Sequence, residues 1–145
     1  MNRELVKDLF LSLLIVLSQL LIFNHINLFG TVSTFIYVSL FILYKTTYDK
    51  TYLILFGFIV GLIIDLSLQT YGAHTLASIT VCYLKERIEK YSFGVNSTLP
   101  LAMIRGTQQT NRVTYFFLII FLHSLIYFSL IFFKFEFALT IFLFT

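Results

Sequence analysis

The sequence predicts an all-α membrane protein, a compact bundle of about six transmembrane helices forming one integral domain over residues 1–145, and three observations lead there. The chain is 59% hydrophobic and only 12% charged, with a mean hydropathy of +0.91, whereas soluble domains are about a quarter charged. No charged residue occurs between Phe10 and Tyr44, and a span needs about 20 apolar residues, so this run alone suffices for two crossings. Finally, the ten basic residues stand at the ends of apolar runs instead of forming a patch or arm, which argues for topology signals and against nucleic-acid binding.

Taken in order, the expected helices cover about 9–23, 31–44, 52–68, 73–84, 113–133 and 135–144. The first is read as a retained anchor, because Arg3 and Lys7 alternate with Glu4 and Asp8 and no small-x-small cleavage site follows. Asn24, His25, Asn27 and Gly30 supply the turn into the second helix. The second, fourth and sixth segments are shorter than a full span, which leaves a four- or five-crossing arrangement as the alternative.

Residues 85–112 form the longest connection, a cytoplasmic loop. Its first part, Lys85-Glu86-Arg87-Ile88-Glu89-Lys90, has mixed charges at helical spacing and reads as a solvated extension of the fourth helix that touches anionic lipid or, as the sharper alternative, a docking partner. The six-crossing model puts Arg3, Lys7, Lys45, Lys50, Lys85, Arg87, Lys90, Arg105 and Arg112 on one side and Lys134 on the other, so both termini are expected in the cytoplasm. Asn96-Ser97-Thr98 matches a glycosylation sequon, but a cytoplasmic position makes it a chance match.

Within this frame the third segment stands out. Gly57 and Gly61 form a small-xxx-small pair that lets two helix backbones approach closely, and Asp65 follows one turn later on the same face. A carboxylate in a lipid-spanning helix is costly, so that face is expected to pack against protein. Its expected partners are His74, after the turn at Gln69 to Gly72, and the free amides that open the next helix; an Asp65–His74 pair would lock the bundle. A proton- or ion-handling carboxylate is the functional alternative, with His123 in the fifth segment as the remaining intramembrane titratable group and a polar contact to a neighbouring helix as its ordinary role.

Nothing in the chain resembles catalytic machinery. The three histidines are far apart in sequence, no second carboxylate or cysteine has ligand spacing, and no nucleophile–base pair or phosphate loop occurs. Neither metal nor cofactor is expected, and Cys82 reads as a small core hydrophobe.

The run Gly57 to Leu66, followed by Gly72-Ala73-His74 with Ala77 and by Tyr83-Leu84, resembles the rod shape-determining protein MreD family in a Bacteroidetes-type form. Gln19 to Gly30 is similar to that family's exit from its first helix. The chain departs from the family in lacking prolines near Ser33-Thr34 and Tyr44-Lys45, in having Thr75 where alanine is more typical, and in stopping early at Thr145, so that a short tail is expected beyond it. The resemblance implies a non-catalytic inner-membrane subunit of the cell-elongation machinery, acting with an MreC-like protein, MreB, RodA and a class B penicillin-binding protein to guide lateral peptidoglycan synthesis and cell shape. It also implies a fold similar to the substrate-binding subunits of energy-coupling-factor transporters, so the competing reading is a substrate-binding subunit for vitamin-type uptake, its cavity lined by Asp65, Gln69, Tyr71 and His74.

Overall fold

A computed structural model describes residues 3–22, 27–28, 32–33, 35–44, 49–94 and 107–132. The fold is helical: α1 (Arg3–Leu21), α2 (Val38–Leu43), α3 (Lys50–Leu68), α4 (Ala73–Phe93) and α5 (Gln109–Phe132). A two-residue antiparallel ladder, β1 (Asn27–Leu28) with β2 (Val32–Ser33), pairs Asn27 with Ser33 and Leu28 with Val32 between α1 and α2.

Helix α3 begins at Asp49, whose side chain accepts from the Thr51 amide at 2.9 Å and so satisfies one of the unpaired donors of the first turn. It ends where Gln69 turns into the left-handed region at φ 55°. Tyr71 (φ 51°) and Gly72 (φ 91°) continue the reversal, and α4 starts at once, so α3 and α4 form an antiparallel hairpin. Left-handed backbone at two non-glycine residues costs about 1–3 kcal/mol each and persists only where surrounding contacts fix it.

Each long helix buries one stripe. On α3 it is Leu53, Gly57, Val60, Gly61, Ile64 and Asp65; on α5, Tyr115, Ile119, His123 and Tyr127 recur every four residues. Helix α4 lies between α3 and α5 and packs along both. The core joins these stripes to Val16 of α1 and to Tyr37, Val38, Leu40 and Phe41 at α2.

The outward faces are also apolar. Tyr52, Leu55, Ile59 and Leu66 of α3 and Val113, Phe117, Phe121 and Leu125 of α5 are all exposed. Among the described residues two helices, α3 and Gln109–Ile131 within α5, are long and apolar enough to cross a membrane, and Phe10–Leu21 is a shorter apolar helix. Only 33% and 22% of the two long apolar windows is buried, the reverse of a core helix in a soluble protein.

Two expectations change, for the second helix and for the start of the fifth. The second helix, expected over 31–44, is a six-residue α2 that rises about 9 Å, well short of a hydrocarbon layer about 30 Å thick. Residues Val32 and Ser33 pair as a strand instead, and β-branched Val32 suits extended backbone. Helix α4 continues through Lys85–Lys90, where mixed charges at helical spacing predict an extension of the fourth helix, and runs to Phe93, ending where Gly94 (φ 96°) donates to the Lys90 carbonyl. Helix α5 starts at Gln109, four residues before the expected position. The turn residues Asn24, His25 and Gly30, and the sixth segment at 135–144, lie outside the described residues.

Candidate functional site

The carboxylate of Asp65 is 7% exposed and faces the first turn of α4. Its Oδ1 accepts from the His74 amide at 3.0 Å and from the Thr70 hydroxyl; its Oδ2 accepts from the Thr75 amide at 2.7 Å and the Thr75 hydroxyl at 2.5 Å. Gly72, at the N-cap of α4, has no side chain to fill this role. Asp65 fills it from the neighbouring helix, and its negative charge sits at the positive end of the α4 dipole. The Asp65 carbonyl meanwhile accepts from the Gln69 and Thr70 amides, closing the end of α3. One residue thus finishes one helix and starts the next, which accounts for the tolerated positive φ angles between them.

The glycines set how near that carboxylate comes. A Cβ on Gly61 would lie 2.6 Å from the Thr75 Cα and 2.9 Å from its amide nitrogen, so only glycine allows this backbone contact. A Cβ on Gly57 would meet the Cys82 Sγ at 2.6 Å.

The imidazole of His74 does not pair with Asp65. Its Nδ1 lies 2.9 Å from the Tyr37 hydroxyl, which lies 2.6 Å from Nε2 of His123 on α5. All three side chains are fully buried. Phe35 packs edge-on to His74, and Tyr127 stacks on it with centroids 4.3 Å apart. The Tyr37 hydroxyl therefore ties the residue preceding α2 to both α4 and α5.

Two further buried polar side chains also serve helix ends. Gln19 of α1 accepts through Oε1 from the Ile36 and Tyr37 amides at 2.9 and 3.3 Å, at the entry to α2. Lys85 of α4 donates to the Tyr44 carbonyl at the end of α2 (2.9 Å) and to Glu89 (2.6 Å); Tyr115 also donates to Glu89, at 3.3 Å. One face of this charged stretch is thus internal, contrary to a wholly solvated helix end. The next pair around the helix, Glu86 with Lys90 at 2.6 Å, is solvated. There the hydrogen-bonded Lys90 ammonium holds the Glu86 carboxyl below its ordinary range.

The structure therefore gathers Gly61, Asp65, Gly72 and the His74 amide at the α3–α4 turn, and sends the His74 ring to His123 through Tyr37. Tyr37, Thr70, Thr75, Gln19 and the Lys85–Glu89 pair were not singled out from sequence as parts of a site. For Lys85 and Glu89 the signal was present: 85/89 and 86/90 are two i, i+4 pairs on different faces, and one helix cannot present both to solvent when it packs on two neighbours. A shallow cavity of about 360 Å³ opens beside the turn, lined by Leu62, Asp65, Gln69, Tyr71 and Thr75 among others; His74 is not part of its wall. Among the described residues no group of three or more His, Cys, Asp or Glu is placed to hold a metal ion.

Comparison with protein-family models, with curated proteins and with solved structures returns no match for this chain.

Proposed function

We propose that the chain is a non-catalytic, multi-pass subunit of the bacterial inner membrane that scaffolds or regulates lateral peptidoglycan synthesis. It would do so together with an MreC-like protein, MreB, RodA and a class B penicillin-binding protein. The observation that carries this reading is the use made of Asp65. Both its oxygens are taken by donors from the chain itself, so the Gly57–Gly61–Asp65 motif that supports the family resemblance joins α3 to α4 and presents no free carboxylate to a substrate.

Exposed apolar faces on α3 and α5 support a lipid-embedded body, as does the clustering of basic residues at one end. Lys50 at the start of α3 lies 4.5 Å from the ring centre of Tyr83 and 3.9 Å from Glu86, on the second half of α4. This end holds Arg87 and Lys90 as well, and on the proposed topology it faces the cytoplasm.

The competing reading, a substrate-binding subunit for small-molecule uptake, draws on the cavity beside Asp65. Mild crosslinking in native membranes, followed by purification of the tagged chain and mass spectrometry of what accompanies it, separates the two. Enrichment of MreC-like and RodA–penicillin-binding partners is expected. Recovery of an ATPase-driven transport module instead would overturn the scaffold reading.

A further inference from the structure

The hydrogen bonds around Tyr37 carry a constraint that a scaffold does not require. A phenol has one proton, so of its two short contacts, 2.9 Å to His74 Nδ1 and 2.6 Å to His123 Nε2, it donates only one. With the phenol proton on one imidazole and not turned to the neighbouring Ser78 hydroxyl, the other imidazole donates to it. If Tyr37 donates to His123, both histidines carry their proton on Nδ1; if it donates to His74, both carry it on Nε2. The two rings therefore share one tautomer and switch together. In either state one imidazole has a free N–H and the other a free lone pair, at His74 Nε2 and His123 Nδ1, which are buried with no hydrogen-bond partner among the described residues.

We infer that His74, Tyr37 and His123 form a proton relay through the core of the bundle. A proton accepted at His74 Nε2 releases the Nδ1 proton to the Tyr37 oxygen. The Tyr37 proton passes to His123 Nε2, and the His123 Nδ1 proton leaves. One proton enters and one departs, no electron moves, and the chain is left in its other tautomeric state. Transfer in the opposite direction restores it directly, whereas a second proton in the same direction requires the hydroxyl and both rings to reset. The other titratable groups that face the triad are Asp65 of α3, Cys82 of α4 and Tyr127 of α5. Asp65 is tied to the α4 amides, and Tyr127 and Phe35 shield the His74 ring. Two imidazoles and a phenol suit this work because each both donates and accepts.

The test is proton flux in vesicles reconstituted with the full chain, driven by a potassium diffusion potential and followed with a pH-sensitive dye. Wild-type vesicles are expected to conduct faster than protein-free ones, and Tyr37→Phe, which keeps the ring and removes only the hydroxyl, to lose at least tenfold of that excess. His123→Gln, which keeps a donor and an acceptor but cannot tautomerise, is expected to lose it as well. Wild-type vesicles no faster than empty ones, or a folded variant that conducts like wild type, would overturn the relay. Nitrogen-15 spectra of histidine-labelled wild-type protein test it without a variant: His74 and His123 are expected in the same tautomer, and opposite tautomers would overturn it. The outcome is independent of which proteins co-purify with the chain, so the relay and the scaffold reading fail separately.

Discussion

At the scale of single residues, the buried polar groups divide into those that accept from backbone and those that balance charge, and their substitutions differ accordingly. Replacing Asp65 by asparagine keeps the shape but turns one acceptor into a donor that faces N–H and O–H groups, so two hydrogen bonds to a charged acceptor are lost. At about 1.5–3 kcal/mol for each such bond, Asp65→Asn is expected to cost about 3–6 kcal/mol, read as a lower denaturation midpoint in detergent. Thr75→Val removes one hydroxyl bond to the same carboxylate and leaves the amide in place, so about 1.5–3 kcal/mol is expected from the same titration. Equal costs for the two would contradict the capping role. Lys85→Met strands Glu89 as a buried charge and is expected to cost about 3–5 kcal/mol, whereas Lys85→Met with Glu89→Leu removes both charges and is expected to be more stable than the single variant. Glu86→Gln, on the solvated face, is expected to shift the midpoint hardly at all.

At the scale of elements, the contact between α3 and α4 rests on two glycines that meet different neighbours. Gly61 faces backbone, which cannot step aside without parting the helices and pulling Thr75 from Asp65. Gly61→Ala is therefore expected to cost about 3 kcal/mol or more. Gly57 faces a side-chain sulfur, and with that sulfur gone its new Cβ would have the Ser78 carbonyl at 3.4 Å and the Cys82 Cβ at 3.5 Å, ordinary contacts. Gly57→Ala alone is expected to destabilise, and Cys82→Ala to restore the double variant to within about 1 kcal/mol of wild type, helped by the better helix propensity of alanine. Failure of that rescue in thermal unfolding would mean that the helices meet elsewhere. Such contacts explain what the sequence could disclose. The i, i+4, i+8 spacing of Gly57, Gly61 and Asp65 is local, so one face and its close approach are legible, as are the lengths of α3 and α5. Tyr37 pairs with residues 37 and 86 positions away, and nothing in its neighbourhood distinguishes it from eight other tyrosines. The shortness of α2 was hidden for a related reason: a charge-free run shows hydrophobicity, but the points at which Gln19 and Lys85 take hold of its ends are set by other helices.

At the scale of the whole molecule, the described helices have two unlike ends. One gathers Lys50, Arg87 and Lys90 with the solvated Glu86, and the other holds the tight turn at Gln69 to Gly72 with Tyr71 fully exposed. Because α3 and α4 are antiparallel and joined by that turn, a lipid layer crossed by α3 would separate the two ends, and on the proposed topology the end rich in lysine and arginine faces the cytoplasm. Cysteine labelling in intact cells tests this directly, since Cys82 is buried and can be replaced by alanine to leave a silent background. In that background Tyr71→Cys is expected to react with a membrane-impermeant maleimide added outside the inner membrane, and Arg87→Cys to react only after permeabilisation. The reverse pattern would invert the topology. Equal labelling of both sites without permeabilisation would show that α3 does not cross, and would move its exposed apolar face from lipid to a protein partner.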